Sequence, residues 1–184
     1  PGTIHVDRKV TVSGKGSVRL DTPASLGKKN PTNRNYATPE IIRPLDREDL
    51  REYNRFSVWV YVDAPGVYLT FAGFTLYNEG EKIMPTPGRF EGQHFETVYP
   101  NKWQHIIWEI PDLYRDCVTG FSVNIMLAGA PAGASEHMSL YIDDMRIEKV
   151  EAENSRGFDL RKDAMAYCHS GYKPGARKQA LVQH

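Results

Sequence analysis

The chain has 184 residues, 40% of them hydrophobic, and carries 23 Lys and Arg against 23 Asp and Glu, so its formal net charge is zero. A chain of this length can bury a core of its own. With no basic cluster beyond Gly27-Lys28-Lys29, a nucleic acid or an anionic membrane surface finds no counter-charge, and a neutral partner fits better. No apolar run approaches the ~18 residues of a membrane helix, and the first residues lack the basic-then-apolar pattern of a signal segment, so we expect a soluble chain, either mature or a fragment.

Thr3 to Val12 alternates loosely through Ile4, Val6, Val10 and Val12, and Ser13-Gly14-Lys15-Gly16 turns it into Ser17 to Asp21, a first hairpin. Thr22 to Pro39 contains three prolines and no periodicity, which predicts a long loop. Glu40 to Leu45 reads as a short strand, with Pro44 pointing to a sheet edge. A helical turn is predicted next: Asp46 can cap it, Glu48 and Asp49 lie in its first turn, Leu50 and Tyr53 share a face, and Asn54 ends it. Arg55 to Asp63 is the strongest strand, with Phe56, Val58, Val60 and Val62 on one face and Ser57, Trp59 and Tyr61 on the other. The Ala64-Pro65-Gly66 turn leads to a strand over Val67 to Asn78, expected to be broken or bulged near Gly73. Asn78 to Gly92 is a second long loop, and Gln93 to Tyr99 alternates His94, Glu96 and Val98 with Phe95, Thr97 and Tyr99.

Trp103 to Ile110 is apolar on both faces, which predicts a strand covered on both sides, with Trp103 and Trp108 in the core. Pro111 stops it, and Asp112 to Asp116 is a connector. Thr119 to Leu127 places Phe121, Val123, Ile125 and Leu127 on one face and Ser122, Asn124 and Met126 on the other, a half-buried strand whose polar face is free for work. In the closing strand Asp143 and Asp144 interrupt the alternation of Leu140, Ile142, Met145 and Ile147, so one carboxylate points where an apolar side chain is expected and needs a partner. About nine short strands with regular turn signals and almost no helix predict an all-β fold, a two-sheet antiparallel β-sandwich. The missing crossover helices exclude a parallel α/β architecture.

The order Trp103, apolar strand, W-E-I-P-D-L (Trp108 to Leu113), apolar strand, Gly-rich loop, Y-I-D-D-x-x-I (Tyr141 to Ile147) resembles the C-terminal half of jelly-roll sandwich domains. These are the galactose-binding-like or carbohydrate-binding-module-like domains attached to polysaccharide-degrading enzymes. The resemblance reaches back to Gly14-Lys15-Gly16-Ser17-x-Arg19-Leu20, a strand that in such domains pairs with the closing strand. It implies a jelly roll over residues 1–150. It also implies that Asp143 or Asp144, with Asp7 and Asp21 from the first strands, could hold a structural calcium ion. Backbone N–H bonds to an Asp in a bulge would serve equally well, and no other cofactor is implied.

After a polar linker at 151–157, Gly171-Tyr172, Pro174-Gly175 and Lys178 to Val182 resemble the opening strands of the immunoglobulin-like domain found before the catalytic barrel in cellulase-type glycoside hydrolases. Such a domain needs roughly 80 to 100 residues. Residues 158–184 therefore read as its first strands, and the chain as the N-terminal piece of a larger secreted, periplasmic or cell-surface glycoside hydrolase or polysaccharide lyase.

Sugar recognition needs flat aromatic faces against pyranose C–H groups and amides, carboxylates or guanidinium groups at the hydroxyls. Trp59 and Tyr61, opposite the Phe56, Val58, Val60 and Val62 stripe, and Asn124, opposite the other core stripe, are the candidate contacts to a polysaccharide or oligosaccharide. The competing reading is that this face docks on the parent enzyme or on a second copy, giving a homo-oligomer. No catalytic residue is expected. Glu109 and Asp112 should diverge around Pro111, and Gln93-His94 lacks the spacing and companion motifs of jelly-roll lyases. The histidines show no H-x-H or H-E-x-x-H pattern for zinc. Cys117 and Cys168 fall in different expected units, and free thiols are the simpler reading.

Overall fold

The computed structural model describes residues 2–24, 38–81, 90–129, 133–150, 165–166, 175 and 181–182. Among them are eleven strands and no helix: β1 Thr3–Asp7, β2 Ser17–Pro23, β3 Glu40–Glu48, β4 Arg55–Asp63, β5 Leu69–Asn78, β6 Phe90–Val98, β7 Gln104–Glu109, β8 Val118–Gly129, β9 His137–Glu148, β10 Met165–Ala166 and β11 Leu181–Val182. Nine build two antiparallel sheets, one of five strands in the order β1-β2-β9-β4-β7 and one of four in the order β3-β8-β5-β6. The chain crosses between them after β2, β3, β4, β6, β7 and β8, which makes the fold a two-sheet jelly-roll β-sandwich. β2 pairs with β9 from Val18↔Ile142 to Pro23↔His137, so the first hairpin meets the closing strand.

The inner stripes predicted from alternation form the core. Phe56 of β4 stacks on Phe121 of β8 with ring centroids 4.9 Å apart and planes 7° from parallel, and it meets Phe74 of β5 at 6.1 Å. The edge of Trp108 closes the same cluster at 6.4 Å. Val58, Val60, Val62, Val123, Ile125, Leu76 and Leu140 are buried around them, each contributing on the order of 1.5–3 kcal/mol.

Three local expectations are corrected. The turn over Asp46 to Asn54 is not helical: β3 continues to Glu48, slipping after Pro44↔Gly120 and pairing again at Glu48↔Val118, with Arg47 at φ 53°. Pairing with β8 satisfies more backbone groups than one isolated helical turn can, so the local cap signals lose. Leu50 still reaches the core. The buried Arg115 guanidinium fastens this corner by donating to the carbonyls of Leu50, Arg51, Ile110, Pro111 and Leu113.

Nor is β5 bulged at Gly73. Its pairing with β8 is continuous from Thr70↔Leu127 to Tyr77↔Gly120, and the irregularities lie at Leu69/Thr70 and Tyr77/Asn78. Finally, β7 is covered on one side, not two. Ile106, Trp108 and Ile110 are buried, whereas Trp103 is half-buried and His105 and Ile107 are exposed on the outer face. Trp103 is therefore not a core residue.

β10 and β11 pair through Met165↔Val182 and Ala166↔Leu181, within the two apolar runs of the tail. The linker at 151–157, the rest of the expected immunoglobulin-like start and Cys168 lie outside the described residues. Cys117 is a half-buried free thiol.

Candidate functional site

The sandwich separates the predicted contacts. Trp59 and Tyr61 stand on the outer face of the five-stranded sheet, and Asn124 stands on the outer face of the four-stranded sheet, with the core between them. Alternation predicts that each side chain leaves the core, but not which sheet its strand joins.

On the five-stranded sheet, registers Arg19↔Tyr141 and Tyr61↔Tyr141 align a row across β2, β9 and β4. The Arg19 guanidinium lies 5.2 Å from the Tyr141 ring centroid, and Tyr61 meets Tyr141 edge-on at 5.5 Å and Trp103 at 5.6 Å. In the next row Trp59 pairs with His105 and stacks on it at 4.8 Å and 19°. Tyr141 is buried and Trp59, Tyr61 and Trp103 are half-buried, so these rings spend much of their surface on one another.

The four candidate calcium ligands surround this face without converging. Asp143 is buried opposite Trp59, next to a bulge where Asp144 takes φ 48° and β4 skips from Trp59 to Ser57. Its carboxylate accepts from Val12 N (2.7 Å), Ser13 N (3.0 Å) and Ser13 Oγ (2.9 Å), tying the loop after β1 to β9. Burial pushes the Asp143 pKa up, but these donors outweigh it and hold the carboxyl below its usual value. Asp144 turns away to a bidentate pair with Arg146, at 2.9 and 2.7 Å.

Asp7 and Asp21 flank Arg19 instead of a metal. Arg19 donates to Asp21 at 2.8 Å and to Asp7 at 3.3 Å, Asp7 also accepts from Lys9 N and Val10 N, and Asp21 accepts from Ser139 Oγ. Among the described residues no three His, Cys, Asp or Glu side chains gather as metal ligands. As arranged, these four carboxylates do not fit a calcium cage, which needs six to eight converging oxygens. The backbone-bond alternative accounts for Asp143.

The Glu109–Asp112 pair is likewise divided. Glu109 turns to Arg55, whose Nε donates to it at 2.7 Å, and both side chains are largely buried. Asp112 is exposed.

The four-stranded sheet presents a different surface. The registers Glu40↔Asn124, Gly73↔Asn124 and Gly73↔Phe95 set Glu40, Asn124, Gly73 and Phe95 in one row across all four strands. The next row is Ile42, Ser122, Thr75 and Gln93. Asn124 is half-exposed, and Phe95 is 51% exposed. A Cβ built on Gly73 would stand 2.6 Å from Asn124 Oδ1 and 2.9 Å from Nδ2, so the amide lies flat over the glycine and reaches toward β6. Among the described residues that amide has no hydrogen-bond partner, and two donors and an acceptor remain available. Glu40 is held at the far end of the row by Tyr77 Oη at 2.9 Å. The sequence does not mark Phe95, and it marks Gln93 only beside His94 as a rejected lyase motif. A trace of them existed in the exposed half of the β6 alternation, but their proximity to Asn124 depends on pairing across three strands.

No protein-family model matches this chain, and no curated protein does. Among solved structures it is similar to an exo-β-agarase, with 12% identity, TM-score 0.51 and coverage of 84% of this chain and 23% of that one. It is also similar to the CBM22-2 xylan-binding domain of Xyn10C from Paenibacillus barcinonensis, with 13% identity, TM-score 0.44 and coverage of 79% and 86%. A third is the family 30 carbohydrate-binding module of the cellulosomal cellulase Cel9D-Cel44B of Clostridium thermocellum, with 17% identity, TM-score 0.45 and coverage of 82% and 84%. The likeness to the agarase is one of fold, the jelly-roll sandwich.

Proposed function

We propose that the sandwich is a non-catalytic carbohydrate-binding module whose ligand lies on the outer face of the four-stranded sheet, with Asn124 at its centre. The observation that carries this reading is the Asn124 amide, which has no hydrogen-bond partner among the described residues, held over Gly73 in the same row as the exposed ring of Phe95. A pyranose offers an apolar C–H face and a rim of hydroxyls, and an exposed ring next to a planar amide complements both. The glycine leaves no side chain between them. The module belongs to a longer secreted, periplasmic or cell-surface enzyme that degrades polysaccharides, with residues 151–157 as linker and 158–184 as the start of the next domain. In support, the exo-β-agarase carries this fold as 23% of a longer chain.

The test is affinity electrophoresis of the whole chain through gels containing plant, algal or bacterial polysaccharides. Retardation by at least one glycan, lost in Asn124→Ala, is expected. A folded chain retarded by none would overturn the proposal.

A second reading concerns the opposite face. Tyr61 packs on Trp103 and on the buried Tyr141, and Trp59 stacks on His105, so the half-exposed rings of this face are already engaged, which suits docking on the parent enzyme or on a second copy better than stacking on sugar. Alanine at Trp59 and Tyr61 in the intact enzyme should then weaken assembly and leave glycan retention unchanged. Loss of retention in these variants would instead restore Trp59 and Tyr61 as sugar contacts.

A further inference from the structure

The class of sugar is written in the charges of the same face. Along the rows around Asn124, Glu40, Ile42, Gln93 and Phe95 are exposed and Met126 and Thr97 half-buried, while Ser122 and Thr75 are buried, and the charged member among the accessible ones is a carboxylate. Glu40 is exposed, and the hydrogen bond it accepts from Tyr77 Oη keeps it on the face. Cations of the described part stand off these rows. Arg43 alternates to the other side of β3. Lys102 sits 4.7 Å from the ring centroid of Tyr99, which follows Phe95 by four residues, roughly 13 Å along an extended strand. The opposite sheet does carry a cation on its outer face, Arg19, but Asp7 and Asp21 neutralise it.

We infer that the Asn124 face selects neutral polysaccharides and rejects uronate-containing or sulfated ones. The inference rests on the carbohydrate-binding reading and adds the ligand's chemical class to it. A carboxylate or sulfate on the sugar must give up part of its hydration at the face, and it is compensated only by a cation, which acidic-ligand sites supply as Arg or Lys. Here it meets Glu40 instead, a like charge that adds repulsion. A neutral sugar meets no such penalty: Glu40 accepts from its hydroxyls, Asn124 and Gln93 donate and accept, and Phe95 covers its C–H face. Because the described side chains of this face offer a ligand no cation, binding should also be insensitive to salt, unlike capture of a polyanion.

The test uses the whole chain in affinity gels of neutral glycans (xylan, mixed-linkage β-glucan, galactan, agarose) and of anionic ones (polygalacturonate, alginate, carrageenan), at 50 and 500 mM NaCl. Expected is retardation by a neutral glycan that changes less than about twofold between the two salt concentrations and falls at least tenfold in Asn124→Ala, with none by the anionic set. Glu40→Lys should gain retardation by an anionic glycan at 50 mM NaCl and lose it at 500 mM. Retardation of the unmodified chain by an anionic glycan alone, lost in Asn124→Ala, would overturn the neutral class while keeping the site. Retardation by any glycan that Asn124→Ala leaves unchanged would overturn the site and the inference with it. Near-ultraviolet circular dichroism on each variant separates loss of binding from loss of fold.

Discussion

The Asn124 amide occupies the space that any side chain at position 73 would need: a Cβ on Gly73 would approach Asn124 Oδ1 to 2.6 Å. The contact is with the end of a flexible side chain, not with backbone, and Gly73 is continuously paired on both sides, with Asn124 and with Phe95. Gly73→Ala should therefore displace the amide without breaking the sheet. Loss of backbone entropy in the unfolded chain favours the variant by about 0.4–1 kcal/mol and offsets the local crowding. We expect a melting temperature within about 3 °C of the parent chain, from a change of less than 1 kcal/mol, with glycan retention reduced at least fivefold. A variant that melts much lower would show that the glycine is needed by the sheet and not by the amide.

Asp143 should set part of the acid limb of stability. Its folded pKa lies below the ordinary 3.8 because Ser13 and Val12 donors outweigh burial. A depressed carboxylate contributes stability that is complete above the unfolded value and is lost as pH falls through the folded one. Asp143→Asn keeps the size but cannot accept from all three donors, and should cost about 1–3 kcal/mol at pH 7. Urea titrations between pH 2 and 7 should show a shallower acid decline for the variant. Parallel curves would assign that decline to other carboxylates, Asp21 and Asp116 among them, which are also held low.

Calcium should not be a structural requirement. Arg19 stands between Asp7 and Asp21, and the Asp143 oxygens are engaged by Val12 and Ser13. Melting in 5 mM EDTA and in 5 mM CaCl2 should agree within about 1 °C, since binding at 100 times Kd would add about 2.7 kcal/mol. A larger rise with calcium would show that these carboxylates rearrange around the ion.

The reading of the tail as part of another domain is tested by deletion. Two strands cannot bury a core of their own, and among the described residues β10 and β11 pair with each other and with neither sheet of the sandwich. Removing residues 158–184 should leave the melting temperature within about 5 °C, and a larger fall, roughly 1–2 kcal/mol for a domain of this size, would place the tail in the sandwich.

Much of the fold was legible because a period of two is unambiguous where one face is apolar. The stripes of β4 and β8 were read residue by residue from Phe56 to Val62 and from Phe121 to Leu127, and all of them are core. The failures lie where pairing overrules local chemistry. Asp46 to Asn54 carries good helix-start signals, but β8 recruits it as strand as far as Glu48. Ile107 and Trp103 made β7 look covered twice, yet its outer face has no neighbouring layer among the described strands. At the site, the alternation of β8 identified Asn124 as outward, whereas its neighbours Gly73 and Phe95 come from 51 and 29 residues earlier in the chain and are joined to it only by register. Trp59 and Tyr61 carry the same outward signal, and nothing local reveals that the core lies between them and Asn124.

The proposed binding face puts sugar on Asn124 and Phe95 and not on Trp59 and Tyr61. It is tested most directly by isothermal titration of whichever soluble glycan retards the chain, against the parent, Asn124→Ala/Phe95→Ala and Trp59→Ala/Tyr61→Ala, each shown to be folded. Affinity at least tenfold weaker in the first pair, about 1.4 kcal/mol or more, and within twofold of the parent in the second, is the predicted result. Loss confined to the Trp59/Tyr61 pair would contradict it and move the binding face to the other sheet.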